Sequence, residues 1–178
     1  MLLGRNIRKS ARDRVVDLFE SPPVESELNP FNVYTEVEYR DDTFIPPQDR
    51  AFIYVISARI LPSNAAKYPV VVIDLAERRW QSEEMGNRKG GIVTLDFECF
   101  GRNTGESNDI ADFIARFMGT TLPIRDYAAA NPSGTILEYA PILEPIDIDA
   151  MEVMAESVQF TGAVLAWDRV RMKIMTLQ

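Results

Sequence analysis

Between residues 3 and 20 the apolar positions Leu3, Ile7, Ala11, Val15, Leu18 and Phe19 recur at spacings of three and four. That is the period of one helix face, and Ser21-Pro22-Pro23 then breaks it. The stretch FNVYTEVEYR alternates instead. Phe31, Val33, Thr35, Val37 and Tyr39 fall on one side and Asn32, Tyr34, Glu36, Glu38 and Arg40 on the other, which predicts a half-buried strand. After the break DDTFIPPQD, AFIYVISARI predicts a more apolar strand, and LPSNAAKYP interrupts again. Val70 to Leu75 is a short β-branched run without alternation, as expected for a strand covered on both faces.

The next strand is GGIVTLDFECF, residues 90–100. By parity Val93, Leu95, Phe97 and Cys99 share one face, and Thr94, Asp96 and Glu98 share the other. The link AERRWQSEEMGNRKGG is long for a hairpin loop, so it is expected to be an exposed, mobile arm between antiparallel strands. A second helix follows in SNDIADFIARFMG, with Ser107 or Asn108 as its cap and Gly119 after its last turn. Its apolar stripe is Ile110, Phe113, Ile114, Phe117 and Met118. Residues 120–157 carry little pattern and are expected to be an extended insertion or arm. SVQFTGAVLAW and RVRMKIMTLQ predict a closing β-hairpin that turns at Trp167-Asp168-Arg169. The expected fold is a single α+β domain over 1–178: a mostly antiparallel sheet, an N-terminal helix, a second helix packed on the sheet, and a C-terminal hairpin.

Composition narrows the function classes. At 178 residues and 46% hydrophobic, the chain can bury a substantial core. A net charge of −8 disfavours wrapping nucleic acid, because phosphate binding rests on Lys and Arg. No run approaches the ~18 apolar residues of a membrane span, and the start lacks a signal-peptide pattern, so synthesis in the cytoplasm and no membrane partner are expected. A single cysteine allows no internal disulfide. The absence of histidine removes the usual triads and histidine metal sites.

The remaining candidates for chemistry are thin. Cys99 shares its face with the apolar residues, and the carboxylates beside it point away. Asp74, Asp96 and Glu98 invite comparison with metal-dependent nucleases, but Phe100 stands where those sites need a lysine. Glu144, Asp147 and Asp149 lack the glycine turn of a calcium loop. Arg88-Lys89-Gly90-Gly91 leads into a strand, not into the helix N-terminus that would cradle phosphate. No catalytic residue, cofactor or metal is expected.

Interaction residues are easier to nominate. The first helix has a basic face, with Arg5, Arg8 and Arg12 as docking candidates, and the arm offers Arg78, Arg79, Trp80, Arg88 and Lys89. Glu36, Glu38, Asp96 and Glu98 are candidates for an acidic face toward a subunit or a channel.

The succession of an amphipathic helix, early strands, YPVVVIDL, a charged arm, GGIVTLDFECFG and SNDIADFIARFMG resembles the tail terminator proteins of long-tailed bacteriophages. The matching segments are Tyr68 to Leu75, Gly90 to Gly101 and Ile110 to Met118. The resemblance covers residues 1–125 and rests on hydrophobic patterns. It implies a structural virion protein at the tail–neck junction: a ring, usually a hexamer, that caps the tail tube and meets the neck or head-completion protein. The tail sheath is a further neighbour, and DNA passes the lumen without specific binding. A neck, collar or head-completion adaptor is the alternative the same pattern implies. A carboxylate nuclease ranks below both.

Overall fold

The computed structural model of the chain describes residues 4–57, 67–85, 88–128, 134–153 and 165–177; the side chains of 77–85, 88–89, 144–153, 165–166 and 177 lie outside what it describes. The fold is α+β. Helix α1 spans Gly4–Glu20, and β1 spans Asn32–Tyr34. Helix α2 is Glu36–Arg40 and β2 is Phe52–Ile56. Strands β3 (Val70–Met85) and β4 (Arg88–Gly101) precede helix α3 (Thr104–Phe117). Strands β5 (Thr121–Arg125), β6 (Ile136–Val153) and β7 (Leu165–Leu177) complete the order. The seven strands form one sheet in the order β1–β2–β3–β4–β7–β6–β5. The pairs β1–β2 and β2–β3 are parallel, and the others are antiparallel.

The main core lies between one sheet face and helices α1 and α3. From α1 it takes Ile7, Ala11, Val15, Leu18 and Phe19, and from α3 Ile110, Ala111, Phe113 and Ile114. The sheet answers with Val71 and Ile73, with Val93, Leu95, Phe97 and Cys99, and with Val170, Met172 and Ile174. Phe97 is fully buried, which contributes roughly 1.5–3 kcal/mol relative to exposure. A second, aromatic cluster covers the opposite face at the β2 end: Tyr39, Phe52, Tyr54, Tyr68, Val70, Val72 and Phe100. Val70 to Ile73 are thus all buried, shared between the two clusters, as the unbroken β-branched run implies.

Both long helices stand where periodicity puts them, and the parity of β4 holds. Other expectations are corrected. The alternating stretch 31–40 is a strand only at Asn32–Tyr34; residues 36–40 form α2. The reason is local: the Glu38 carboxylate reaches back to accept the Thr35 N–H at 3.1 Å, the return half of a capping box. The cap of α3 is Asn103, whose side chain accepts the Glu106 N–H at 2.9 Å, so the helix starts earlier than Ser107. Gly119, at φ 90°, closes that helix in the left-handed conformation glycine tolerates.

The expected mobile arm is strand. Pairing of β3 with β4 continues through Arg78↔Val93 and Trp80↔Gly91 to Met85↔Arg88, with irregularities at Leu75/Glu77 and Trp80/Glu84. Trp167, Asp168 and Arg169 make no turn either. They lie inside β7, opposite Phe100, Cys99 and Glu98 of β4. The antiparallel partner of β7 on its other side is β6, and residues 157–164 of the expected first hairpin strand lie outside the described residues. The weakly patterned 120–157 region supplies β5 and β6, so its described part belongs to the sheet. Among the described residues, no helix is long and apolar enough to cross a membrane.

Candidate interaction surface

Charge on the sheet face opposite α1 and α3 is arranged in columns. Strand β7 alternates Arg169, Arg171 and Lys173 with the buried Val170, Met172 and Ile174. Directly paired residues share a face. Arg171 therefore stands beside Asp96 of β4 and at the register position of Asp147 on β6, and Arg169 stands beside Glu98 and Asp149. The basic positions of β7 thus face acidic ones on β4, and Asp147 and Asp149 hold the matching register positions on β6. The closest pair is bidentate: Arg171 Nε donates to Asp96 Oδ1 at 2.8 Å and Nη2 to Oδ2 at 2.9 Å. Arg169 Nη1 lies 4.0 Å from the same carboxylate.

This arrangement revises the role of two nominated acids. Asp96 points away from Cys99, as parity requires, but only 7% of it is exposed, under Arg171. Glu36 and Glu38 sit on α2 rather than on a strand face. Glu36 accepts from Ser57 N at 2.8 Å, Ser57 Oγ at 2.6 Å and Arg12 Nη1 at 2.9 Å. Burial works against its charge, but the Ser57 hydrogen bonds and Arg12 outweigh it and hold the carboxyl below its usual range. The four acids thus do not share one surface: Glu36 and Glu38 serve α2, and Asp96 and Glu98 serve the β4–β7 ladder.

The basic face of α1 is spent in the same way. Arg12 joins Glu36 and also Asp13 at 2.7 Å, and Arg14 Nε donates to the Met118 carbonyl at 3.3 Å. Arg8 lies 3.8 Å from Asp74, and Arg5 donates to the Tyr127 carbonyl at 3.4 Å. These cations tie α1 to α2, β3, β5's exit and the end of α3. Arg78, Arg79, Trp80, Arg88 and Lys89 lie on the β3–β4 ribbon, and their side chains are outside those described.

Nucleophile chemistry has no foothold at Cys99. The thiol is fully buried, its Sγ donates to the Phe97 carbonyl at 3.7 Å, and burial followed by the nearby Asp168 pushes its pKa up. Asp168, itself buried, accepts Ser107 Oγ at 2.7 Å under the first turn of α3. Metal chemistry fares no better at Asp96, since an arginine fork already fills both its oxygens. Among the described residues no group of three or more Cys, Asp and Glu could hold a metal ion.

Comparison with models of known protein families and with characterised proteins gives no match. Arg171, Ser57 and Lys67 were not singled out by sequence reasoning, and Arg169 only as part of an expected turn. For the two arginines a signal existed: in RVRMK the cations occupy alternate positions, complementary to the Asp96/Glu98 parity. Lys67 had none. Its ammonium caps α2 by donating to the carbonyls of Tyr39 and, at 2.9 Å, Asp41, contacts made across 28 and 26 positions of sequence.

Proposed function

We propose that the chain is a structural virion subunit of the tail-terminator type, which closes into a ring on the end of a tail tube and presents a surface to the neck protein. The observation that carries this reading is the β3–β4 ribbon. Strand β3 pairs with β2 at Val70–Val72 and runs on beside β4 to Met85, well past the described end of β2 at Ile56. A strand that extends so far beyond its described neighbour offers a place for another chain to add. Its irregularities and its charged residues (Glu77, Arg78, Arg79, Glu83 and Glu84) discourage indiscriminate pairing, so the strand favours a specific partner. The order of elements around the ribbon supports the same reading: an amphipathic helix before it and a glycine-flanked strand leading into α3 after it.

Electron microscopy of the purified chain mixed with assembled tail tubes tests this. The expected result is a ring seated on one end of each tube. A chain that binds no tube and forms no ring contradicts it.

A further inference from the structure

The sheet face that turns away from α1 and α3 changes character along its length. Beyond the Asp96–Arg171 pair, toward β5, its described outward residues are largely apolar. Pro123 of β5 stands opposite Tyr139 of β6, Met175 of β7 stands beside Ile92 of β4, and Leu137 and Leu143 take alternate places on β6. The residues between them, Leu122, Ala140, Ile142 and Ile174, lie in the core, so strand parity sends this set outward. Tyr139 is 64% exposed, and Leu137 and Met175 are exposed as well. The charged residues at the described outward positions of this end are Arg125 and Lys173, both cations. Lys173 is paired with Thr94 on one side and Leu143 on the other, neither of which offers a carboxylate. An exposed apolar patch of this kind marks a contact surface.

The helical side of the molecule is its complement. A cleft of about 440 Å³ opens between the C-terminal end of α1 and the first turns of α3, lined by Phe19, Phe31 and Phe113. The rings are fixed against one another, Phe19 standing 5.3 Å from Phe31 and 4.9 Å from Phe113. Leu28 lines the cleft while 43% exposed, its N–H donating to Ser26 Oγ at 3.3 Å. The charge at the cleft is acidic. Asp109 lines it and is exposed, Glu27 is exposed next to Leu28, and the charge of Glu106 is met by Arg102 at 2.7 Å. Such a cleft suits an aromatic side chain that arrives together with positive charge, and Tyr139 with Arg125 and Lys173 has that composition. One copy cannot bring the two together. Phe19 and Phe113 belong to the core on the helix side of the sheet, whereas Tyr139 stands on the opposite face.

We infer that the bare β5–β6–β7 face of one copy seats on the α1–α3 side of the next, with Tyr139 entering the cleft beside Leu28 and the cations Arg125 and Lys173 turned toward Glu27 and Asp109. The two surfaces are different, so the contact is head-to-tail, and repetition closes a ring when the rotation per copy allows. This rests on the ring reading and assigns its interface.

Two measurements test it on the full chain. In the first, Leu28→Cys protein is mixed with Tyr139→Cys protein under mild oxidation; Cys99 is buried in both and stays silent. A disulfide between copies that forms only in the mixture is expected. A cross-link in either protein alone, or none in an assembled mixture, overturns the inference while leaving the ring reading intact. In the second, sedimentation compares wild type with Tyr139→Asp and with the double variant Glu27→Lys, Asp109→Lys. All three positions are exposed, so folding is expected to survive while assembly weakens about tenfold or more in each. Unchanged assembly in either variant overturns the inference. A wild-type chain that stays monomeric removes the ring reading and the inference together.

Discussion

Arg171 holds both carboxylate oxygens of Asp96 across the β4–β7 pair, at 2.8 and 2.9 Å, with Asp96 7% exposed and the arginine side chain 34% exposed. The two partners are therefore not equivalent. Removing the arginine leaves a buried carboxylate without its hydrogen bonds and with only the more distant Arg169, 4.0 Å away, beside it, whereas removing the carboxylate leaves a cation that can turn to water. Arg171→Met is expected to destabilise the chain by about 2–3 kcal/mol, a buried-pair loss discounted for the solvent around Arg171. Asp96→Asn is expected to cost less. Urea denaturation of both variants checks the order, and an equal or reversed order contradicts the asymmetry.

Glu36 fastens α2 to α1 through Arg12 and to β2's exit through Ser57. Its carboxyl is held below the usual range in the folded chain, so this contribution is present above the ordinary carboxylate pKa and disappears as pH falls through the folded value. Glu36→Gln is expected to lose about 1–2 kcal/mol at neutral pH. The gap to wild type should narrow on acidification, because only the wild type has an ionised carboxylate to lose. Melting temperatures of both proteins between pH 7 and the acid limit of folding measure this.

Gly101 joins β4 to the turn before α3. A Cβ there would stand 2.5 Å from the Ser107 backbone nitrogen and 2.9 Å from the Asn103 carbonyl oxygen. Backbone cannot swing aside as a side-chain end can, so Gly101→Ala is expected to cost about 1–3 kcal/mol through displacement of the α3 N-terminus. Gly90→Ala meets nothing within 4 Å and is expected to be near neutral. Calorimetry on the pair separates a steric effect from a general glycine effect.

Cys99 should report global unfolding. Its thiol is fully buried and its pKa is raised, so a thiol reagent is expected to label it only at the rate at which the chain opens, and quickly in denaturant. Fast labelling of the native chain at neutral pH contradicts the placement of this strand in the core.

Helices α1 and α3 and the inward face of β4 were legible because each buries one regular stripe against a single core. The outward face of β4 was half legible: parity separates Asp96 from Cys99, but burial under Arg171 depends on a strand about 75 residues away. Residues 35–40 misled because Thr35, Val37 and Tyr39 alternate as a strand would, while the Thr35–Glu38 cap and the Lys67 ammonium at the far end stabilise one short helix. The ribbon was mistaken for a loop because its many charged residues conceal the strand period. Its signal was the Gly-Asn dipeptide at 86–87, a turn-favouring sequence between segments that pair in register. At Trp167–Arg169 the turn-like Trp-Asp-Arg run is strand because Asp168 finds Ser107 and Trp167 stacks on Phe100 at 5.5 Å, partners that no local pattern announces.

Sedimentation velocity of the purified chain over a wide concentration range tests the central claim most directly. A single closed oligomer of fixed subunit number, in equilibrium with little else, is the predicted result. A monomer at every concentration contradicts it.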